Sequence, residues 1–253
     1  MRKLFTAIAF LSRLPIPFRL QVKSDKAFAL VVNYLGLAGL CLGLINVLLA
    51  WVLFSLLPTA MAATVLTFAV LLINGALHED GFADFFDAIG ARSPDKRLEI
   101  MKDSRIGAFG TLALIGTCLA RIQIYSYLAA LHVEYLFAFL LFVSGWSRWL
   151  ATFFMKRCEY VHKNGKGLAA GWQNPSGLGL VLTAFLFLML SFLWVPYIAA
   201  SLTIVVLLEE LVLPFVFKRF LRGVNGDCLG FSAVLCELLS GVVAVGLLSA
   251  FVA

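Results

Sequence analysis

The 253-residue chain is 62% hydrophobic and 13% charged, with a mean hydropathy of +0.99. A soluble domain carries about twice that share of charge, so composition excludes a water-soluble globule. It indicates an all-α, polytopic helix bundle forming one membrane domain, 1–253. The net charge of +6 is read as topology rather than nucleic-acid binding, because cytoplasmic connections carry excess Lys and Arg. Cys41, Cys118, Cys158, Cys228 and Cys236 form no C-x-x-C pair and predict small hydrophobes with neither disulfide nor zinc site.

Residues 1–27 are basic, and their apolar run from Leu4 to Leu11 is too short to span and has no signal-peptide cleavage site. An amphipathic interfacial segment is expected there. Apolar stretches at 32–57, 60–77, 107–131, 134–155, 178–194, 197–217 and 231–253 then predict about seven spans. Asn46 and the glycines of the first span suggest close helix packing.

The connections fall into two kinds. Those near Pro58, His132 and Val195 are tiny and nearly uncharged, whereas 78–106, 156–177 and 218–230 are long and basic. Every Lys and Arg except Arg121 and Arg148 lies in the N-terminal segment or in those three long connections. This asymmetry predicts a multi-pass protein of the inner membrane, N-terminus inside, with its polar chemistry facing the cytoplasm. Within 78–106, Ser93 and Pro94 read as the N-cap and first residue of a short helix from Asp95 to about Ser104.

Chemistry concentrates in His78-Glu79-Asp80-Gly81-Phe82-Ala83-Asp84-Phe85-Phe86-Asp87, which holds four of the fourteen acidic residues. On a helix, Asp80, Asp84 and Asp87 fall within a ~60° stripe. Carboxylates so placed repel one another, and oxygen-only ligands suit Mg²⁺. The phenylalanines between them demand burial, so the acids should face a cavity at the membrane boundary.

Lys102, Asp103 and Arg105 offer cations for phosphate oxygens. Asp227 sits between glycines at the mouth of the last span, and Glu237 lies about two turns inside it. His78 is a candidate base or ligand. Arg121 and Arg148 are expected to pair with Glu209, Glu210 or Glu237. Asn74, Trp146, Trp172 and Gln173 are weaker candidates for a polar pocket. Acids and cations together suit Mg²⁺-dependent phosphoryl or phosphoester transfer. The residues alone go no further. No G-x-S-x-G or Walker pattern is present.

Four stretches resemble the cobalamin synthase (adenosylcobinamide-GDP ribazoletransferase) family, in its order and spacing over nearly the whole chain. They are Phe10-Leu11-Ser12-Arg13-Leu14-Pro15-Ile16-Pro17, residues 74–87, residues 97–110, and Gly226-Asp227-Cys228-Leu229-Gly230 with Glu237. Departures are small: Asn74-Gly75-Ala76-Leu77 stands where a Gly-Gly pair is common, and Phe231 where a small residue is usual.

The resemblance implies that a hydroxyl of α-ribazole or its 5′-phosphate attacks the cobinamide-side phosphorus of adenosylcobinamide-GDP. GMP leaves, and adenosylcobalamin or its 5′-phosphate forms. It implies Mg²⁺ on Asp80, Asp84 and Asp87, phosphates on Lys102 and Arg105, and His78 or an acid as base. Asp103, Asp227 and Glu237 would complete the metal or substrate shell. The implied partners are the corrinoid, α-ribazole and the lipid bilayer, with no nucleic acid; a homo-oligomer is compatible with the sequence. The alternatives are a CDP-alcohol phosphotransferase, whose Ala-Arg is replaced here by Ala83-Asp84, and a cation-coupled transporter.

Overall fold

A computed structural model describes residues 1–24, 27, 29–161 and 175–251. Trp172, Gln173 and most of the 163–177 connection lie outside the described residues. The described chain is helical: α1 Arg2–Leu11, α2 Leu35–Leu56, α3 Thr59–Asn74, α4 Leu77–Ala88, α5 Pro94–Ile100, α6 Ala108–Leu131, α7 Val133–Arg157, α8 Gly177–Trp194, α9 Pro196–Leu221 and α10 Gly226–Phe251.

Among the described residues, six stretches are long and apolar enough to cross a membrane: α2 with its preceding turn, α6, α7, α8, α9 and α10. A seventh arises only if α3 and α4 count as one broken span, bent by 93°. The expected 60–77 span is therefore shorter than its hydropathy suggests. At 1.5 Å per residue, a helix of 16 residues covers about 24 Å of a ~30 Å hydrocarbon core. The acidic helix α4 turns away from the bundle axis and lies across one end, outside the six spans.

That end also receives the start of α6, the ends of α7 and α9, and the start of α10. The tight turns at 57–58, His132 and Val195 close the opposite end. The chain thus sorts its long basic connections to one end, as the charge pattern predicts.

Helix α7 is the central post. Leu136, Phe139, Leu140, Leu150 and Phe154 are fully enclosed. Helix α2 approaches it most closely because Gly39 and Gly43 leave no side chain between the backbones. A Cβ on Gly43 would stand 2.6 Å from the Leu141 carbonyl, and one on Gly39 would overlap the Ser144 carbonyl. Small residues serve this purpose where lipid tails are as apolar as the side chains. By contrast, α8 is peripheral and shows Leu178, Val181, Phe185 and Leu193 outward. The N-terminal α1 packs on protein as well as facing out: Ala7, Ile8 and Leu11 form a second core with Val31, Val32, Leu35 and Ala38.

Two predicted boundaries need correction. The short helix after Ser93 ends at Ile100 rather than near Ser104. Asp103 stops it by accepting a hydrogen bond from the Arg105 backbone N–H at 3.1 Å, a local competitor to the helical ladder. The expected loop 218–230 is mostly helix, because α9 runs to Leu221 and α10 begins at Gly226. Only 222–225 connect them, so Asp227 stands in the first turn of α10.

Candidate functional site

The site begins with the break between α3 and α4. Gly75 (φ 64) and Ala76 (φ 52) are both left-handed. Their N–H groups donate to the Leu72 and Leu71 carbonyls at 3.2 and 3.0 Å, closing α3 in the manner of a helix C-terminus capped by glycine. An L-residue at Ala76 costs about 1–2 kcal/mol, so the turn must be held from outside. Arg13 holds it. Its N–H donates to the Ile73 carbonyl at 2.7 Å, and its side chain fills the space where a Cβ on Gly75 would stand.

Helix α4 then divides its residues by face. Phe85 stacks on Phe231 at 4.0 Å and on Phe220 at 4.4 Å between centroids, and Phe82 lies 5.4 Å from Phe231. Gly81 and Gly230 bring α4 and α10 backbone to backbone. A Cβ on Gly81 would meet the Asp227 backbone at 2.8 Å, and one on Gly230 the His78 carbonyl at 3.0 Å. Phe231 therefore anchors the aromatic face of α4. With that face buried, the acids turn toward a cleft of about 390 Å³.

Asp80 and Asp84 line this cleft, with Glu79 at its floor and Lys102, Asp103 and Ser104 across from them on the turn after α5. The Asp84 carboxyl is pushed up to about 7 by burial and by the charges of Asp227, Asp80 and Asp87, in that order. Asp227 approaches from α10. Its carboxylate accepts from Asn225 Nδ2 at 2.7 Å, while Asn225 Oδ1 accepts from the Cys228 N–H at 3.0 Å and caps α10.

Asp87 has a different job from its two neighbours on the stripe. Its two oxygens accept from the Gly107 and Gly110 N–H groups at 2.7 and 2.8 Å. It thereby satisfies the orphan donors at the start of α6 and places a negative charge at that helix's positive end. A Cβ on either glycine would run into this carboxylate, which explains why both positions lack side chains. In this geometry Asp87 positions α6 under the cleft, and it is not part of the cleft wall.

Glu79 and Glu237 belong to the frame beneath. Arg121 bridges them, at 2.7 Å from Glu79 and at 2.8 and 3.0 Å from the two Glu237 oxygens. The Tyr125 hydroxyl donates to Glu237 at 2.6 Å. Arg121 and Glu79 side chains are 3% and 8% exposed, so this is a buried ion cluster inside the bundle. Glu237, expected on the substrate, is thus a layer below the cleft. Among the described residues Arg148 makes no ion pair and donates to Ser147 Oγ at 3.0 Å. Glu209 accepts from Ser232 at 2.7 Å instead of pairing with an arginine.

The remaining expected residues sit at the rim or behind it. Lys102 is exposed on the cleft wall. Arg105 points to solvent and is locked to Asp103 through contacts of 2.6, 3.0 and 3.1 Å. Those hydrogen bonds hold the Asp103 carboxyl down to about 2, which makes it a poor base near neutral pH. His78 is half-buried against α10 and does not line the cleft, and its Nε2 has no hydrogen-bond partner among the described residues.

Sequence reasoning missed Asn225, Tyr125 and the Glu79–Arg121 bridge. Only Asn225 carried a local signal, as an N-cap residue type just before a helix. No group of three His, Cys, Asp or Glu side chains among the described residues converges on a metal-binding geometry. Mg²⁺, however, is held by one or two carboxylates with water and substrate phosphates. Two carboxylates without an ion pair among the described residues share an open cleft, one of them with its proton affinity raised by burial and by neighbouring charge, and this fits that chemistry.

The chain matches the family model described as "Cobalamin-5-phosphate synthase" over residues 3–245. Curated relatives named "Adenosylcobinamide-GDP ribazoletransferase" include that of Desulfitobacterium hafniense, 34% identical over 94% of this chain and 94% of the relative. That of Ralstonia nicotianae is 32% identical over 94% and 92%, and that of Shewanella sp. W3-18-1 is 30% identical over 92% and 89%. No solved structure matches.

Proposed function

Because the chain belongs to the cobalamin-5-phosphate synthase family, we propose that it transfers the cobinamide phosphate of adenosylcobinamide-GDP to a ribose hydroxyl of α-ribazole or its 5′-phosphate. Adenosylcobalamin or its 5′-phosphate and GMP are the products. The observation that carries the reading is the cleft in which Asp80 and Asp84 face Lys102 across the α4 surface.

The chemistry follows from what each side chain can hold. Lys102 provides a mobile ammonium for diphosphate oxygens. Arg105 stands at the rim, where a substrate phosphate can replace Asp103 as its partner. Asp80 would hold Mg²⁺, which when bound supplies charge neutralisation for the diphosphate and the departing GMP. Asp84 would accept the hydroxyl proton as the new P–O bond forms and the old one breaks toward GMP. Its carboxyl, pushed up to about 7 by burial and acidic neighbours without metal, suits a base. A cation bound to Asp84 itself would lower it, so Asp80 carries the Mg²⁺ in this reading. His78 lies behind the cleft and serves packing in this reading.

The charge pattern supports placing the cleft on the cytoplasmic face of the inner membrane, where the basic connections belong. The test is GMP release by purified protein in detergent. Release that needs α-ribazole, adenosylcobinamide-GDP and Mg²⁺ together is expected. Release without α-ribazole would mark a hydrolase and contradict the proposal.

A further inference from the structure

We propose that a second cavity at the polar end of the bundle binds the headgroup of an anionic phospholipid. This cavity, of about 250 Å³, lies between the ends of α7 and α9 and shares no lining residue with the acidic cleft. Arg157, Lys218 and Arg222 line it, opposed by a single carboxylate, Glu159. Among the described residues Arg157 and Lys218 make no ion pair, and Arg222 has only a loose, exposed one to Asp95 at 3.7 Å.

The cavity is built rather than incidental. The Val161 N–H donates to the Val224 carbonyl at 3.1 Å and the Val224 N–H to the Glu159 carbonyl at 2.9 Å. These two bonds clip the exit of α7 to the turn before α10. Gly223 permits the approach, since a Cβ there would stand 2.8 Å from the Glu159 carbonyl. Arg222 caps α9 in the left-handed conformation, φ 64 and ψ 15, at the position where glycine is usual. A side chain there is strained, because its Cβ crowds the neighbouring carbonyl oxygen. Cations at helix ends are ordinary complements of the helix dipole and of membrane topology. Neither effect requires a strained arginine where glycine would close the helix without cost.

The neighbouring surface selects a lipid over a soluble anion. Leu207, Leu211, Pro214 and Lys218 lie at i, i+4, i+7 and i+11 of α9, within ~60° of one face. Leu207 and Leu211 are 53% and 67% exposed. An acyl chain covers these leucines while its phosphate reaches Lys218, Arg157 and Arg222. A free phosphate uses the cations and leaves the leucines uncovered. Basic pockets between spans at the membrane surface take anionic headgroups in this way.

The test uses the full-length protein, delipidated in detergent. Phosphatidylglycerol, phosphatidylcholine and inorganic phosphate are the probes, read by native mass spectrometry and by thermal midpoint. Retention of phosphatidylglycerol but not phosphatidylcholine is expected. Each cation at a membrane surface strengthens anionic-lipid attachment about fivefold. The Arg157→Gln/Lys218→Gln variant should therefore lose about thirtyfold in retention, and Arg222→Gly about fivefold. Arg222→Gly also relieves the left-handed strain, so it should fold at least as well as the wild type. GMP release in detergent should be unchanged in both. Equal retention of the two lipids, or wild-type retention by Arg222→Gly, would overturn the proposal. So would protection by inorganic phosphate equal to that by phosphatidylglycerol at the same concentration.

Discussion

Helix α4 carries two kinds of carboxylate one residue apart. Glu79 points inward, is 8% exposed on its side chain and shares Arg121 with Glu237. Asp80 points outward into the cleft beside Asp84, and among the described residues neither aspartate is in an ion pair. A buried charge survives only when paired, whereas a charge at an open cleft can stay unpaired and wait for a ligand. The difference separates a tied charge from an open one: Arg121 ties the glutamates into the bundle, and the aspartates line the cleft without a cation partner among the described residues.

The comparison breaks first at Asp84. Asp84→Asn removes the proposed base, so GMP release should fall at least about a hundredfold. The thermal midpoint in detergent should hold or rise, because a repelled charge is gone. The opposite pattern should follow at Arg121. Arg121→Met leaves Glu79 and Glu237 buried without a cation and should cost about 3–5 kcal/mol, seen as a large drop in thermal midpoint. Adding Glu79→Gln and Glu237→Gln should recover part of that loss. If Arg121→Met unfolds no more easily than the wild type, the buried cluster is not the frame.

Asp87 sharpens the contrast, since it lies on the stripe but caps α6. Asp87→Ala should lose about 1–2 kcal/mol through the lost cap, and Gly110→Ala should reproduce the loss by pushing the carboxylate away. Calorimetry on both variants checks it. The Asp84 carboxyl adds a pH signature. Its folded pKa of about 7 lies above the ordinary 3.8, so between about pH 4 and 7 the native state binds more protons than the unfolded state. Stability without Mg²⁺ should therefore decline as pH rises through that window and level off above it. Asp84→Asn should flatten the decline. The smallest effect belongs to the exposed Asp103–Arg105 pair. Arg105→Gln should leave the thermal midpoint unchanged and raise KM for adenosylcobinamide-GDP severalfold.

Much of this was legible in the sequence because it is local. Spacing put Asp80, Asp84 and Asp87 on one helix, Ser93-Pro94 marked the start of α5, and uncharged turns at Pro58, His132 and Val195 marked the far end. What was not legible depends on partners distant along the chain. Nothing near Asp87 says that its acceptors will be used by backbone N–H groups 20 and 23 residues later. Nothing near Glu79 names Arg121. The polar letters of 218–230 read as a loop because an amphipathic helix end and a loop share composition, and only packing of Phe217 and Phe220 on Phe85 decided it. The Arg121–Glu237 pair is among the expected ones and is present; what depth in a span leaves open is whether Glu237 also reaches substrate, and the fold places it below the cleft.

The division of α4 is tested most directly by the Mg²⁺ dependence of GMP release, compared among wild type, Asp80→Asn and Glu79→Gln in the same detergent. Asp80→Asn should raise the half-saturating Mg²⁺ concentration about tenfold or more, on the scale of one lost charged ligand interaction. Glu79→Gln should leave that concentration unchanged while lowering the thermal midpoint. An unchanged Mg²⁺ requirement in Asp80→Asn, or a shifted one in Glu79→Gln, would contradict that division.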